Sequence, residues 1–177
     1  KENLSRPSAE LVPYFAVLAE LFERLPREPA AAGLGIKLIG SIDLLPEGLR
    51  AAAHHLGERS PAGERRLTIA LAYGGRQEIV DAVKDLVGKL AAEGLAAEEV
   101  PEHIDADALA GHLYTAGLPD PDLVIRTSGE SRLSGFLLWQ AAYAEYSFVD
   151  VYWPAYRRVD FLRALRDFTR RERRFGR

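Results

Sequence analysis

Between Arg126 and Ser134 the chain reads Arg-Thr-Ser-Gly-Glu-Ser-Arg-Leu-Ser, which sets two guanidiniums, Arg126 and Arg132, on either side of a stretch of hydroxyls and backbone N–H groups. That mixture suits an anion. A guanidinium fork grips phosphate or carboxylate bidentately, Ser134 adds a hydroxyl donor, and Gly129 permits a tight turn. Arg126, Arg132 and Ser134 could together surround a phosphate; the competing reading is a solvated loop whose arginines pair with Glu130 and Asp122. Further on, Glu145 stands among aromatic and small apolar residues, Trp139-Gln-Ala-Ala-Tyr-Ala-Glu-Tyr. A carboxylate in such surroundings either pairs with a nearby arginine or holds a cation, and magnesium favours one or two carboxylates together with phosphate oxygens. Tyr73-Gly-Gly-Arg76 is a weaker candidate, a place for phosphate where a helix begins after a strand.

Composition removes several chemistries. The 177 residues contain no cysteine, so a disulfide framework, a thiolate metal site and a cysteine nucleophile are excluded together. The absence also fits a reducing cytoplasm. His54, His55, His103 and His112 show neither a His-Glu-x-x-His pattern nor a zinc spacing, and read as surface residues. There is no Gly-x-Ser-x-Gly elbow for a serine hydrolase. The net charge of −3 hides an asymmetry: from Asp122 to the end, 11 Arg and 7 acidic residues leave +4, against −7 in the first 121 residues. The closing Arg170-Arg-Glu-Arg-Arg-Phe-Gly-Arg complements a helix dipole by default, and could also reach an anionic ligand.

The elements that must position these residues follow from periodicity. Leu11, Phe15, Leu18, Leu21, Phe22 and Leu25 recur at helical spacing and predict a helix over about 7–24, with Pro13 expected to shift its start or kink it. Strands are expected at 36–42, 67–73, 122–126 and 147–151, and helices at 46–56, 77–92, 106–114, 136–143 and 159–174. No run approaches the length needed to span a bilayer. Alternating strands and helices predict one α/β domain over 1–177, with a mostly parallel central sheet flanked by helices. Ligands of such sheets sit outside the carboxyl ends of the strands, where Tyr73 and Arg126 both lie.

The stretch Pro121 to Tyr146 resembles the signature of the cis-prenyltransferases, the Z-type isoprenyl diphosphate synthases that include undecaprenyl diphosphate synthase. The likeness continues through Phe148-Val-Asp-Val-Tyr-Trp-Pro and the closing Arg-Arg-Phe-Gly. Upstream, Ile69 to Val80 is similar to the family's central motif, and Glu2-Asn-Leu-Ser-Arg-Pro7 to its Ser-x-Glu-Asn-Trp-x-Arg-Pro segment. The resemblance implies an undecaprenyl diphosphate synthase-like fold. It also implies a magnesium-dependent transferase that condenses isopentenyl diphosphate with an allylic diphosphate into a Z-configured polyprenyl or short-chain diphosphate. Carried over by motif, Arg126, Arg132 and Ser134 hold isopentenyl diphosphate, Glu145 helps bind Mg2+, and Asn3 matches the asparagine implicated in proton removal. Arg174 and Gly176 match a C-terminal motif that reaches a substrate diphosphate across a homodimer. The implied setting is cytoplasmic, with peripheral membrane contact through the lipid product and no nucleic acid.

Departures from the family pattern generate their own expectations. The family's Asp-Gly-Asn-Gly-Arg-Trp-Ala motif, which supplies a magnesium-holding aspartate and an allylic diphosphate loop, is absent. The chain also contains no methionine. The expectation is an N-terminally incomplete domain whose missing strand and loop lie upstream of Lys1, and whose 177 residues alone are inactive. Leu4 replaces the usual Trp, and Ala72 a frequent Asn. Two other readings compete: a non-catalytic scaffold subunit of the same fold in a heteromeric prenyltransferase, and a nucleotide- or RNA-binding module. The latter would need a basic face with stacking aromatics, against which the acidic first 121 residues speak.

Overall fold

The structure is a computed structural model that describes residues 2–58 and 65–171, without the side chains of Glu2 and Asn3. The chain divides into two compact units, Lys1–Ala116 and Gly117–Arg177. In the first, a 3-10 turn over Glu2–Ser5 leads into α1 (Ser8–Arg24), whose N-cap is Pro7. Pro13 lies inside α1 and does not end it; the helix starts before this proline and continues past it, although proline cannot supply the usual backbone N–H there. Packing of the apolar face carries it through: Leu18 and Phe22 are buried with Ile36, Leu45, Leu49, Ala53, Leu56 and Leu71 in one core. Pro26 and Pro29 then turn the chain through two 3-10 turns.

β1 (Leu34–Ile39), α2 (Glu47–Glu58) and β2 (Arg65–Ala70) form a unit familiar from α/β proteins: a strand, a helix, and a parallel strand in register from Leu34↔Arg65 to Ile39↔Ala70. Parallel strands need such a crossover because a tight hairpin would reverse the chain. Gly40 ends β1 with φ +108, and a Cβ at that position would collide with the Leu71 carbonyl oxygen. Only glycine lets the two strand ends approach this closely. The Leu71 N–H still donates to the Ile39 carbonyl at 2.9 Å, one step beyond the ladder. α3 (Gly75–Ala92) follows, burying Gly75, Glu78, Ala82, Leu86 and Leu90, and α4 (Ala106–Ala110) is capped by Asp105, whose side chain accepts from the Ala108 N–H at 2.7 Å.

The second unit contains β3 (Leu123–Arg126), β4 (Glu145–Phe148) and α5 (Arg158–Thr169). β3 and β4 are parallel, with Leu123 opposite Glu145 and Arg126 opposite Phe148. The strands expected are therefore present and paired in parallel, as two two-stranded ladders among the described residues. Their crossover differs from expectation. Residues 136–143 do not form a helix but a series of turns, because Ser134, Gly135 and Leu137 all adopt left-handed φ values of +49, +75 and +47. A left-handed residue cannot continue a right-handed helix. β4 also begins at Glu145 rather than 147, and α5 ends at Thr169, short of the predicted 174.

Asp160 organises the start of α5. It is buried, accepts from the Arg157 backbone N–H at 3.1 Å and from Arg157 Nε at 3.2 Å, and meets Arg163 Nη1 at 3.4 Å. Hydrogen bonds from the Arg157 side chain and backbone hold its carboxyl below the ordinary carboxylate range. Two predictions follow from these local constraints. Replacing Gly40 by Ala should lower the unfolding free energy, measured by urea denaturation, by at least about 2 kcal/mol, since backbone strain and a main-chain collision add. For Asp160, a depressed folded pKa contributes stability that is complete above the unfolded value of about 4 and is lost as pH falls through the folded one. Asp160→Asn should accordingly be less stable than the parent at pH 7, and chemical denaturation should show the gap closing below about pH 4.

Candidate functional site

The end of β3 and the loop after it enclose a hollow of about 350 Å³, lined by Val124, Ile125, Arg126, Thr127, Ser128, Arg132, Leu133, Phe136 and Tyr146. Both loop guanidiniums thus border one space, partly polar and partly apolar. Main-chain bonds fix the loop there. The Arg126 carbonyl accepts from the Val149 N–H at 2.8 Å, the Ser128 N–H donates to the Val151 carbonyl at 2.8 Å, and the Gly129 N–H donates to the Val149 carbonyl at 3.2 Å. Ser128 and Gly129 take φ values of +82 and +70 to make the turn. At Gly129 a Cβ would lie 2.5 Å from Asp150 Oδ1, so glycine serves both the turn and the close approach.

Glu130 arranges the two arginines. Arg126 Nε donates to the Glu130 carbonyl at 3.0 Å, and Arg132 Nη1 forms an ion pair with the Glu130 carboxylate. The pairing anticipated for a solvated loop is therefore partly present, and both residues also line the hollow. Arg126 is half-buried and Arg132 exposed. With Nε engaged, the terminal nitrogens of Arg126 are the part of the fork that can grip an anion, while Arg132 can exchange a surface carboxylate for a ligand at small cost. Ser134 follows in a left-handed turn and is not among the residues that line the hollow.

Glu145 lies elsewhere on the same ladder. It opens β4 opposite Leu123, three register positions from the Arg126–Phe148 pair, which amounts to about 10 Å along the strands. It does not line the hollow. Its Oε2 accepts from Arg171 Nη1 at 2.7 Å, and the same nitrogen donates to the Tyr146 carbonyl at 3.1 Å. Glu145 is thus paired with an arginine, one of the two alternatives posed by its surroundings. Among the described residues no group of three His, Cys, Asp or Glu side chains is placed to hold a metal. The donor set fits magnesium in one mode, a partly exposed carboxylate that supplies one oxygen while phosphate oxygens and water supply others. The backbone of Asn3 lies in the 3-10 turn Glu2–Ser5, while its side chain, Arg174 and Gly176 fall outside the described residues.

The first unit holds a polar cluster that sequence reasoning missed. Glu78 is fully buried; its carboxylate accepts from the Tyr73 hydroxyl and from the Tyr114 N–H at 3.0 Å. Tyr114 in turn donates its hydroxyl to Asp81 Oδ2 at 2.5 Å, and Gln77 Nε2 donates to Asp81 Oδ1 at 2.8 Å. Burial, and then the Asp81 carboxylate, push the Tyr114 phenol well above its ordinary value. A signal existed: Glu78 sits on the same helical stripe as Ala82, Leu86 and Leu90. His112 also departs from the surface reading, with a side chain 14% exposed and Nδ1 2.7 Å from Asp85 Oδ2; His54, His55 and His103 are exposed as expected.

Comparison with known proteins adds the family to this geometry. The prenyltransferase family model described as undecaprenyl diphosphate synthase matches residues 1–176. Isoprenyl transferase 1 of Corynebacterium diphtheriae is 51% identical over 176 residues, covering 99% of this chain and 66% of that protein. The protein named (2Z,6E)-farnesyl diphosphate synthase of Mycolicibacterium smegmatis is 48% identical over 179 residues, with the same coverage of 99% and 66%. The chain thus spans about two thirds of the length of these curated relatives. Among solved structures, lavandulyl diphosphate synthase from Lavandula x intermedia, in complex with dimethylallyl diphosphate, matches with a TM-score of 0.84 at 30% identity, over 99% of this chain and 75% of that one. Signature, paired parallel strands and relatives agree, and the chain belongs to the undecaprenyl diphosphate synthase family of prenyltransferases.

Proposed function

We propose that this protein catalyses cis-prenyl transfer, with Arg126 and Arg132 binding the diphosphate of isopentenyl diphosphate. The observation that carries the reading is the shared hollow: two guanidiniums border one space of about 350 Å³ whose remaining lining includes Leu133 and Phe136. A diphosphate headgroup on a short isoprenoid has that same division, negatively charged oxygens at one end and hydrocarbon at the other. Ser134 joins as a hydroxyl donor from the adjoining turn. Both units belong to one prenyltransferase domain in this reading, since the family match runs through both.

In the reaction, the terminal methylene carbon of isopentenyl diphosphate bonds to the allylic carbon as the allylic carbon–oxygen bond breaks. Pyrophosphate leaves with the electron pair, and a proton departs from the isopentenyl unit. Arg126 and Arg132 hold the diphosphate that stays on the isopentenyl unit, so their part is to position the attacking methylene carbon rather than to receive the charge of the departing pyrophosphate. Asn3 is assigned to orient the group that loses the proton, and Arg174 and Gly176 to a substrate diphosphate across a homodimer. Glu145 would hold Mg2+, which when bound neutralises negative charge on diphosphate oxygens. The protein would act in the cytoplasm and meet the membrane peripherally, through its product; among the described residues, no helix is long and apolar enough to cross a membrane.

The test uses labelled isopentenyl diphosphate, magnesium and a panel of allylic starters with the whole protein, read by product chain length and double-bond geometry. Z-configured products are expected. Absence of turnover together with retained isopentenyl diphosphate binding would favour the scaffold subunit instead. In direct binding, Arg132→Ala should weaken isopentenyl diphosphate by about ten- to a hundredfold, the worth of a hydrogen bond to a charged group. Arg126→Lys keeps the charge but loses the fork, and should recover only part of the affinity lost in Arg126→Ala. Unchanged binding in both arginine variants would remove the basis of the proposal.

A further inference from the structure

The main-chain donors of the anion loop are already in use. The Ser128 N–H donates to the Val151 carbonyl at 2.8 Å and the Gly129 N–H to the Val149 carbonyl at 3.2 Å, so neither is available to a ligand. Arg126 is also partly committed, because its Nε donates to the Glu130 carbonyl at 3.0 Å. The edge of the fork that includes Nε is closed, and the terminal nitrogens are what it can still offer. Two residues that follow it in the chain, Thr127 and Ser128, line the same hollow and are half-buried. Among the described residues neither of their hydroxyls has a hydrogen-bond partner. The donors left at this end of the hollow are therefore side chains, not backbone.

The backbone singles out Ser128. Among the described residues four non-glycine residues stand at positive φ: Ala72, Ser128, Ser134 and Leu137. Only Ser128 of these lines the hollow, and its φ of +82 lies farthest from the left-handed minimum near +57. Glycine adopts such a conformation with no Cβ penalty, and the chain places one at the next position, Gly129, at φ +70. A serine held where glycine would be easier contributes a hydroxyl. Strain of this kind persists where the surroundings over-determine it, and it clusters at ligand sites. We propose that Ser128 donates its hydroxyl to the diphosphate beside Arg126, as a binding residue of the hollow in its own right. The inference rests on the reading of the hollow as the isopentenyl diphosphate site. A hydroxyl hydrogen rotates toward whichever oxygen is presented, so Ser128 fills the gap in the ring of donors that Arg126 Nε leaves.

The experiment titrates isopentenyl diphosphate calorimetrically into the whole protein and its Ser128→Ala, Ser128→Gly, Ser128→Asn, Ser128→Asp and Arg132→Ala variants, and records each melting midpoint without ligand. Ser128→Ala and Ser128→Gly should each weaken binding by about tenfold, the lower end for a hydrogen bond to a charged group. Ser128→Gly should melt no lower than Ser128→Ala, since it alone relieves the left-handed strain, and its lost affinity is then not lost folding. Asparagine tolerates a left-handed backbone and brings an N–H donor, whereas aspartate has nearly the same shape and brings a negative charge. Ser128→Asn should accordingly bind more tightly than Ser128→Asp. Unchanged affinity in Ser128→Ala and Ser128→Gly, with Arg132→Ala weakened, would overturn the hydroxyl role and leave the site standing. Full affinity in Ser128→Gly with a loss in Ser128→Ala would overturn it too, by tracing the effect to backbone strain. Unaltered binding in Arg132→Ala as well would remove the reading of the hollow, and the inference with it.

Discussion

Two guanidiniums repel each other, and a short loop left to itself would let Arg126 and Arg132 separate. What keeps them on one hollow is the continuation of parallel pairing past the end of β3. Arg126 and Phe148 close the ladder, and the bonds from Val149, Ser128 and Gly129 carry the pairing into the loop. The loop therefore inherits the rigidity of a strand edge. Glu130 adds a second restraint, taking one arginine through its carbonyl and the other through its carboxylate. An anion entering such a site meets donors already in place, and little ordering remains to oppose binding.

Charged groups organise each unit in a different manner. In the first, Glu78 is fully buried with its acceptors used by Tyr73 and Tyr114, so its carboxylate fastens the start of α3 to the segment after α4. Satisfied buried carboxylates specify one arrangement, because any alternative leaves the charge without partners. In the second unit Asp160 fixes the entry of α5, and Arg171 fastens its exit to β4. Entry and exit differ in kind: Asp160 is buried, and the Glu145–Arg171 pair is not. Only the second is exposed enough to change partners readily.

Much of this was legible before any coordinates. Leu18 and Phe22 on α1, and Leu49, Ala53 and Leu56 on α2, lie where helical spacing puts an apolar face, and each strand run was placed within a few residues. The arginine loop was identifiable because residue type, hydroxyl content and a strand-end position agreed. The turns over 136–143 were not, since Phe136, Leu137 and Leu138 have ordinary helix-compatible side chains and nothing in their types announces the left-handed φ at Ser134 and Leu137. Glu78 was overlooked because a charged residue at an apolar register is usually exposed, and its partners Tyr73 and Tyr114 are separated from each other by 41 positions of sequence.

The amino-acid sequence by itself determined the periodicities, the kinds of donor available and the signature that marks the family, all of which depend on side-chain chemistry and on neighbours a few residues away. Tertiary structure alone decided the pairings: that Arg126 and Arg132 share a hollow, that Glu145 opens β4 away from it, and that Arg171 claims Glu145. The physical reason is range. Helical and strand spacing arise from local backbone geometry, whereas which arginine meets which carboxylate depends on how segments distant in sequence pack, and composition leaves that choice open.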